Sequence, residues 1–186
     1  METLRVLRFI PNFLTLLRIA AVAPLVWLLH QHMYHQALVL FALAGLSDGL
    51  DGYLARRFGW HSSLGAILDP MADKLLMGCT AIMLVWNGLM PLWLFALIIA
   101  RDAILSGGAL IYRMLRGPFQ VQPSIWGKIS TFTQLLAVVA MLMNAAYHML
   151  PRFAMHGLVM IAGVMTLISG LHYVWFWLRK YRSVKS

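Results

Sequence analysis

Residues 48–73 read DGLDGYLARRFGWHSSLGAILDPMAD, and they include four of the chain's six acidic residues, Asp48, Asp51, Asp69 and Asp73. The 186-residue chain as a whole is mostly apolar, with 61% hydrophobic residues and a mean hydropathy of +0.77. A carboxylate in hydrocarbon is costly unless it is paired, hydrated or bound to a metal. Four neighbouring carboxylates also repel one another and stay ionised only beside a cation. The stretch therefore predicts a metal site inside a membrane protein.

Apolar segments long enough to cross a membrane occur along the whole chain. A membrane-spanning helix needs roughly 20 mainly apolar residues. The qualifying segments are 12–30, 36–56, 64–87, 91–115, 124–149 and 156–178. Because the connections between them are short, residues 1–186 are predicted to form a single all-α integral membrane domain, with six transmembrane helices in one bundle. Residues 1–10 are predicted to be a short amphipathic segment along the membrane surface.

The net charge of +9 is distributed unevenly between the two ends of the predicted spans. Basic residues flank the spans on one side, at Arg5, Arg8, Arg56, Arg57, Arg113, Arg116, Arg179, Lys180, Arg182 and Lys185. The opposite connections contain only Arg152. This pattern predicts that both termini and the aspartates face the cytoplasm, in the cytoplasmic (inner) membrane. The charge is assigned to anionic lipid headgroups, and no nucleic-acid partner is predicted.

Helical spacing brings the aspartates together in pairs. Asp48 and Asp51 are three residues apart, and Asp69 and Asp73 are four apart, so each pair lies on one face of its helix. The two helices are joined by a short turn and are predicted to be antiparallel neighbours, whose acidic faces can meet. Oxygen-only ligands favour Mg²⁺ or Mn²⁺ over zinc. Such ions commonly act on phosphate groups.

Small and basic residues accompany the aspartates. Gly45, Gly49, Gly52 and Gly65 remove side chains from their surroundings. This absence of side chains is typical of close helix packing in lipid, and it also provides room for a bulky ligand. Arg56, which follows two of the aspartates, is interpreted as a partner for a phosphate group rather than as a topology charge alone.

The stretch resembles the signature of the CDP-alcohol phosphatidyltransferases. The signature's fixed positions are all present at the family's spacing, at Asp48, Asp51, Gly52, Ala55, Arg56, Gly65, Asp69 and Asp73. The similarity extends to the opening run Pro11-Asn12-x-x-Thr15-x-x-Arg18 and to the run Gly127-Lys128-x-x-Thr131-x-x-Gln134. It therefore covers essentially the whole chain.

This resemblance implies an enzyme that displaces CMP from CDP-diacylglycerol with the hydroxyl of a glycerol-type acceptor, and that forms a homodimer. It implies divalent metal ligands at Asp48, Asp51, Asp69 and Asp73. Asp73 would also be the general base that deprotonates the acceptor. The implied CDP pocket is lined by Asp48, Asp51, Gly52, Ala55, Arg56, Gly65 and Asp69.

Polar residues in the fourth and fifth spans bear on the identity of the acceptor. The candidates for the acceptor side of the cavity are Arg101, Lys128, Thr131 and Gln134. An alternative for Arg101 is a structural pair with Asp102. Family members that use glycerol 3-phosphate usually carry an Arg-Glu pair and a further arginine two turns later, whereas this chain has Asp102 and Ala109. The pattern resembles the CMP-forming cardiolipin synthases more closely, which predicts phosphatidylglycerol as acceptor and leaves glycerol 3-phosphate as the alternative.

Two other classes of protein also place aspartates in a membrane. A membrane prenyltransferase would need a second aspartate motif, but the only acidic residue after Asp73 is Asp102. A cation transporter does not explain the Gly-Ala-Arg pattern. The turn with His30, His32 and His35 is interpreted as a polar turn at the outer interface, with zinc or copper binding as the alternative.

Overall fold

The computed structural model describes residues 10–58, 65–116 and 124–182, and all regular structure within these ranges is helical. The helices are α1 (Ile10–His30), α2 (Tyr34–Phe58), α3 (Gly65–Trp86), α4 (Leu92–Arg116), α5 (Ile125–Tyr147) and α6 (Arg152–Arg182). Each helix covers one of the apolar segments, which confirms the predicted all-α class and the order of the helices. In the site region, the structure describes no side chains for residues 50–58, 65–67 and 70.

Most of these helices have the length and composition of membrane spans. Among the described residues, the stretches long and apolar enough to cross are Phe13–His30, Leu92–Ile111, Ile125–Tyr147 and Arg152–Trp177. They carry exposed large apolar side chains, such as Trp27 at 56% and Leu92 at 68% exposure. An integral membrane protein presents such faces to lipid. The helices α2 and α3, which carry the four aspartates, are not in this set, and their membrane crossing stays a prediction.

Contacts divide the described chain into two compact units. The first contains α1, α2 and α3, together with Leu142–Met149 at the end of α5. The second contains α4, α5 up to Met141, and α6. The arrangement of all six helices in one bundle stays a prediction.

Helix α1 is central to the first unit, because it packs against both α2 and α3. The core includes Leu25 and Leu29 from α1, Phe41 from α2 and Leu84 from α3, all of them buried. At the end of α3 the Asn87 side chain donates a 2.8 Å hydrogen bond to the carbonyl oxygen of Leu29. Apolar packing and this polar bond therefore hold α1 against its neighbours.

In the second unit, α4 packs against α6. The approach is close at Gly163, where an added Cβ would lie 2.6 Å from the Trp93 ring. A side chain at this position would displace the indole, so glycine is required for the observed packing. The closeness is typical of membrane helices that meet through small residues.

Candidate active site

Three helices of the first unit meet at Arg18, which lies on α1. The Nη1 atom of Arg18 is 2.6 Å from Oδ1 of Asp48 on α2 and 2.8 Å from Oδ1 of Asp73 on α3. Because the two carboxylates share one nitrogen, they are held at the same point. The structure thus brings acidic residues of α2 and α3 together, as their helical spacing predicts.

A second polar residue on α1 contacts the remaining described aspartate of this region. The Thr15 hydroxyl donates a 2.5 Å hydrogen bond to Oδ1 of Asp69. Thr15 and Arg18 are three residues apart, so both lie on the face of α1 that is turned towards the aspartates. Helix α1 therefore supplies a hydrogen bond and a positive charge to carboxylates that are carried by other helices.

The charges at this site differ in their access to solvent. The Arg18 side chain is fully buried, whereas the side chains of Asp48 and Asp73 are 42% and 50% exposed. A guanidinium removed from water needs such partners, because an unpaired buried charge is strongly destabilising. Asp69, which accepts from Thr15, is a third carboxylate of this region. The number of carboxylates and the partial exposure of Asp48 and Asp73 suit the binding of a cation.

The donor chemistry fits Mg²⁺ or Mn²⁺, since carboxylate oxygens are the ligands these ions prefer. In the described arrangement, Arg18 supplies the positive charge between Asp48 and Asp73. No group of three or more His, Cys, Asp or Glu side chains within the described residues is gathered closely enough to hold a metal. The predicted ligand Asp51 lies outside the described side chains, and the metal site stays a prediction.

Several residues of the predicted CDP pocket lie outside the described side chains, namely Asp51, Gly52, Ala55, Arg56 and Gly65. The first four follow Asp48 on α2, and Gly65 begins α3. Helical rise places Arg56 about 12 Å along the axis from Asp48. Their roles in binding CDP stay predictions.

The described glycines of α2 border open space. A Cβ added at Gly45 or at Gly49 would meet no atom within 4 Å. These two glycines therefore do not serve close packing against another described helix. Their position around Asp48 on the same helix favours room for a ligand beside the carboxylates.

Arg101, a predicted acceptor residue, is buried in the second unit among several partners. Its Nη1 is 2.7 Å from Oδ1 of Asp102. Its Nε donates to the Ser169 hydroxyl on α6, and its Nη2 donates to the Gly127 carbonyl oxygen on α5, each at 3.3 Å. The guanidinium also lies over the Tyr173 ring, 5.7 Å from the centroid. Arg101 thus forms the pair with Asp102 that was the structural alternative, and its role in binding an acceptor stays a prediction.

The three predicted acceptor residues of α5 lie in different environments. Lys128 and Thr131 are exposed, whereas Gln134 is buried. The Gln134 amide donates to the hydroxyls of Ser130 at 3.2 Å and Thr166 at 2.8 Å. Residues six apart on an α-helix differ by about 120° around the axis, which explains why Gln134 is separated from Lys128.

The histidines of the turn after α1 contact tyrosines. His32 Nδ1 is 2.7 Å from the Tyr34 hydroxyl, and the His35 ring packs edge-on against Tyr147 at 5.3 Å between centroids. No cluster of metal ligands is found at His30, His32 and His35 in the described part of the chain. These contacts support the interpretation as a polar turn.

Sequence reasoning assigned no role to Thr15 and Arg18, although it included both in the resemblance. Arg18 lies deep in an apolar helix with no acidic residue within two turns. Such an arginine has to find a carboxylate on another helix. With the acidic residues concentrated in one stretch, that requirement alone pointed to the aspartates of α2 and α3.

Comparison with known proteins identifies a family. The sequence profile of the CDP-alcohol phosphatidyltransferases matches residues 8–172. The match includes α2 and α3 with all four aspartates, and also Thr15 and Arg18 on α1. It therefore covers the whole site and most of both units.

Curated relatives carry two different names. A probable cardiolipin synthase (CMP-forming) of Drosophila melanogaster is 34% identical over 182 positions, covering 89% of this chain and 56% of the relative. A cardiolipin synthase (CMP-forming) of Streptomyces coelicolor is 39% identical and covers 77% of this chain and 68% of the relative. A CDP-diacylglycerol–glycerol-3-phosphate 3-phosphatidyltransferase of Bacillus subtilis is 36% identical and covers 73% and 69%. The chain spans little more than half the length of the Drosophila relative, and it belongs to the CDP-alcohol phosphatidyltransferase family.

Proposed function

We propose that this chain transfers the phosphatidyl group of CDP-diacylglycerol to phosphatidylglycerol, which forms cardiolipin and releases CMP. The observation that carries this proposal is the convergence of Asp48 and Asp73 on the buried Arg18. It joins the two halves of the family signature at one half-exposed point. Asp69, held by Thr15, adds a third carboxylate to the same region.

The reaction exchanges a phosphoanhydride bond for a phosphodiester bond. The acceptor hydroxyl oxygen attacks the phosphorus that carries the diacylglycerol. A new P–O bond forms as the bond from this phosphorus to the bridging oxygen breaks. CMP leaves with the bridging oxygen and its electron pair, and the acceptor proton passes to a carboxylate. No oxidant or further reactant is required.

Asp73 is the residue proposed to take the proton. Half of its side chain is exposed, so its carboxylate can meet an incoming hydroxyl while one oxygen contacts Arg18. A correctly placed base of this kind contributes about 10²- to 10⁴-fold to the rate. Arg18 keeps the Asp73 carboxylate beside Asp48, and therefore beside the end of α2 that is proposed to bind CDP.

Asp48, Asp51, Asp69 and Asp73 are proposed to hold Mg²⁺ or Mn²⁺. The bound ion would neutralise the diphosphate and the charge that develops on the leaving CMP. The open space at Gly45 and Gly49 supports the approach of the nucleotide to this part of α2. Arg56 is proposed as a phosphate partner and Gly52, Ala55 and Gly65 as pocket residues.

The environment of Arg101 favours an acceptor without a phosphomonoester. Its charge is compensated by Asp102, and its Nε and Nη2 donate to the Ser169 hydroxyl and the Gly127 carbonyl oxygen. The residue eight positions later on α4 is Ala109 rather than a second arginine. The phosphomonoester of glycerol 3-phosphate calls for uncompensated positive charge. Phosphatidylglycerol has a single phosphodiester charge and presents a neutral glycerol end, which calls for less.

Glycerol 3-phosphate is the second candidate acceptor. The name of the Bacillus subtilis relative supports it, since that protein is a glycerol-3-phosphate 3-phosphatidyltransferase. On α5, Lys128 is exposed and could supply positive charge to the phosphate, since the charge of Arg101 is compensated by Asp102. Thr131, one turn later, is exposed as well.

The proposed setting is the cytoplasmic membrane, with both termini and the aspartates on the cytoplasmic side. The distribution of basic residues supports this orientation. A homodimer is proposed from the family resemblance. Crosslinking of the purified protein in liposomes, followed by measurement of its mass, tests the dimer.

A product assay tests the proposed reaction and the acceptor. Purified protein is incubated in liposomes with CDP-diacylglycerol, Mn²⁺ or Mg²⁺, and either phosphatidylglycerol or glycerol 3-phosphate. Mass spectrometry is expected to find cardiolipin and CMP with phosphatidylglycerol, and neither product after chelation of the metal. The Asp73→Asn variant is the control for contaminating activity.

The outcomes separate the two acceptors from other functions. Formation of phosphatidylglycerophosphate, without cardiolipin, would replace phosphatidylglycerol by glycerol 3-phosphate as the acceptor. Undiminished CMP release in a chelator would refute the metal proposal. Absence of CMP release with either acceptor and either metal would overturn the proposed function.

A further inference from the structure

A lateral groove of about 390 Å³ lies between α1 and α2 in the first unit. Its walls include Leu17, Ala20 and Pro24 on α1 and Leu43 on α2. At one end it reaches Arg18, which contacts Asp48 and Asp73. The groove is therefore continuous with the proposed catalytic carboxylates.

The polarity of the groove changes along its length. Its lining is apolar apart from Ser47, the last lining residue of α2, and Arg18, which lies four residues from Leu14, the first lining residue of α1. The Ser47 hydroxyl donates to the Leu43 carbonyl oxygen at 2.8 Å, so this serine is satisfied within its own helix. Leu17 and Leu43 are 53% and 57% exposed, which leaves the groove open towards lipid. A ligand in it would need a polar group at one end and an apolar chain along the rest.

The apolar part of the groove extends into one leaflet of a bilayer. On α1 this part runs from Arg18 to Pro24, six residues apart, which corresponds to about 9 Å of helix. The hydrocarbon core of a bilayer is about 30 Å thick, so this length is more than half the depth of one leaflet. The volume lies in the range of small-molecule sites, and a helix about 10 Å wide would not fit in the groove.

We propose that one acyl chain of the CDP-lipid donor lies in this groove, with its glycerol end beside Arg18 and Ser47. The inference rests on the proposed function and adds a binding subsite for the donor. The donor is favoured over the acceptor lipid because Ser47 directly precedes Asp48, the first aspartate of the segment proposed to bind CDP. The occupant thus has its diphosphate at the carboxylates and its chain along α1 and α2.

Filling the groove tests this assignment. Leu40 lines the groove seven residues from Ser47, which is about 10 Å along α2, whereas Ala42 is exposed on α2 and does not line it. CMP release by Leu40→Trp and by the control Ala42→Trp is compared with dioleoyl and with dioctanoyl CDP-diacylglycerol. Overpacking is expected to lower kcat/KM of Leu40→Trp about tenfold with the dioleoyl donor. The dioctanoyl donor, whose chains end before Leu40, is expected to be used by both variants at the wild-type rate.

Loss of activity by Leu40→Trp with both donors alike, or an equal loss in Ala42→Trp, would overturn the proposal. A second measurement does not depend on a variant that folds. Wild-type protein in liposomes is photolabelled with CDP-diacylglycerol that carries a diazirine at the end of an eight-carbon acyl chain. Labels on Ala20–Pro24 or Leu40 are expected, and labels confined to α4 and α6 would overturn the proposal.

Two further outcomes of the labelling separate this proposal from related ones. Preferential labelling of the groove by a phosphatidylglycerol probe would assign it to the acceptor and refute the donor assignment. If wild-type protein releases no CMP from either donor, the proposed function fails. Labelling by the CDP-lipid probe would in that case still establish the groove as the site of its chain.

Discussion

Each unit of the molecule contains a buried arginine paired with aspartate, and the two arginines differ in where their partners come from. Arg18 on α1 contacts carboxylates on α2 and α3, the second of them 55 residues away. Arg101 on α4 contacts Asp102, the next residue in the chain. Its other partners are a hydroxyl and a carbonyl oxygen of α6 and α5.

This difference in partners produces a difference in charge balance. Around Arg101, Asp102 compensates the charge, and a hydroxyl and a carbonyl oxygen accept from Nε and Nη2. Around Arg18, the carboxylates of Asp48 and Asp73 share one nitrogen and are about half exposed. A balanced, buried cluster stabilises helix packing, whereas several carboxylates with solvent access can bind a cation or substrate. We therefore propose a structural role for Arg101 and a chemical role for the surroundings of Arg18.

The largest expected effect comes from the same substitution made in each cluster. Asp73→Asn is expected to reduce CMP release about 10²- to 10⁴-fold, because the proposed base is lost. Binding of CDP-diacylglycerol, measured by titration calorimetry, is expected to be largely retained. Asp102→Asn, the matched control, is expected to lower the thermal stability while keeping most of the activity. Full activity of Asp73→Asn would refute the base assignment, and equal losses in both variants would remove the distinction between the clusters.

Substitution of each arginine by glutamine tests whether the two clusters differ in metal binding. Arg18→Gln removes the positive charge between two carboxylates and is expected to weaken Mn²⁺ activation about 10- to 100-fold, as for groups that orient metal ligands. Arg101→Gln is expected to lower the melting temperature without changing the Mn²⁺ dependence. Both are measured as CMP release against Mn²⁺ concentration, with Arg18→Lys as the charge-conserving control.

Two outcomes of this experiment would contradict the different roles proposed for Arg18 and Arg101. A rise confined to the KM of the acceptor in Arg101→Gln would support an acceptor-binding role for Arg101. An unchanged Mn²⁺ dependence in Arg18→Gln would show that Arg18 only stabilises the first unit.

A smaller effect is expected at the threonine that contacts Asp69. Thr15→Val removes a hydrogen bond to a carboxylate, a type of bond that is worth about 1.5–3 kcal/mol. Because Asp69 is only partly buried, a reduction of kcat near the lower limit, about tenfold, is expected. Thr80→Val is the matched control, since Thr80 is equally buried but its hydroxyl donates to the Leu76 carbonyl oxygen. A similar loss of kcat in both variants would assign Thr15 to folding alone.

The smallest effect is expected in the second unit, at Gln134. Gln134→Leu removes two hydrogen bonds, but Thr166 still donates to the Ala162 carbonyl oxygen and Ser130 still lies near Thr166. The free energy of unfolding is expected to fall by about 1 kcal/mol, with CMP release unchanged. Chemical denaturation in detergent and the CMP assay measure the two quantities. An increase in the acceptor KM would instead place Gln134 in the acceptor pocket.

Much of the fold was predictable because membrane helices are specified locally. The length of each apolar segment predicts a helix, and each predicted segment coincides with one of the helices from Ile10 to Arg182. The short connection between α2 and α3, and the spacing within the pairs Asp48–Asp51 and Asp69–Asp73, predicted that their acidic faces meet. The described carboxylates do so at Arg18.

The site was predictable only in part, since helical spacing relates residues within a helix and not between helices. The aspartates were identified by their cost in an apolar chain, but their pairing with Arg18 and Thr15 depends on how α1 packs. The same limit applied on α5, where three residues were predicted to lie on the acceptor side of one cavity. Their rotation around the helix separates the buried Gln134 from the exposed Lys128 and Thr131.

The amino-acid sequence alone was sufficient for the class of the fold, the order of its helices and the concentration of negative charge on α2 and α3. These features follow from hydrophobic length and from the cost of carboxylates in lipid, which are properties of single segments. Packing between helices established that Arg18 holds Asp48 and Asp73 together, that Arg101 also donates to Ser169 and to the Gly127 carbonyl oxygen, and that a groove runs from Arg18 along α1. Such pairings and cavities involve atoms from segments far apart in the chain, so they arise only when the helices are assembled.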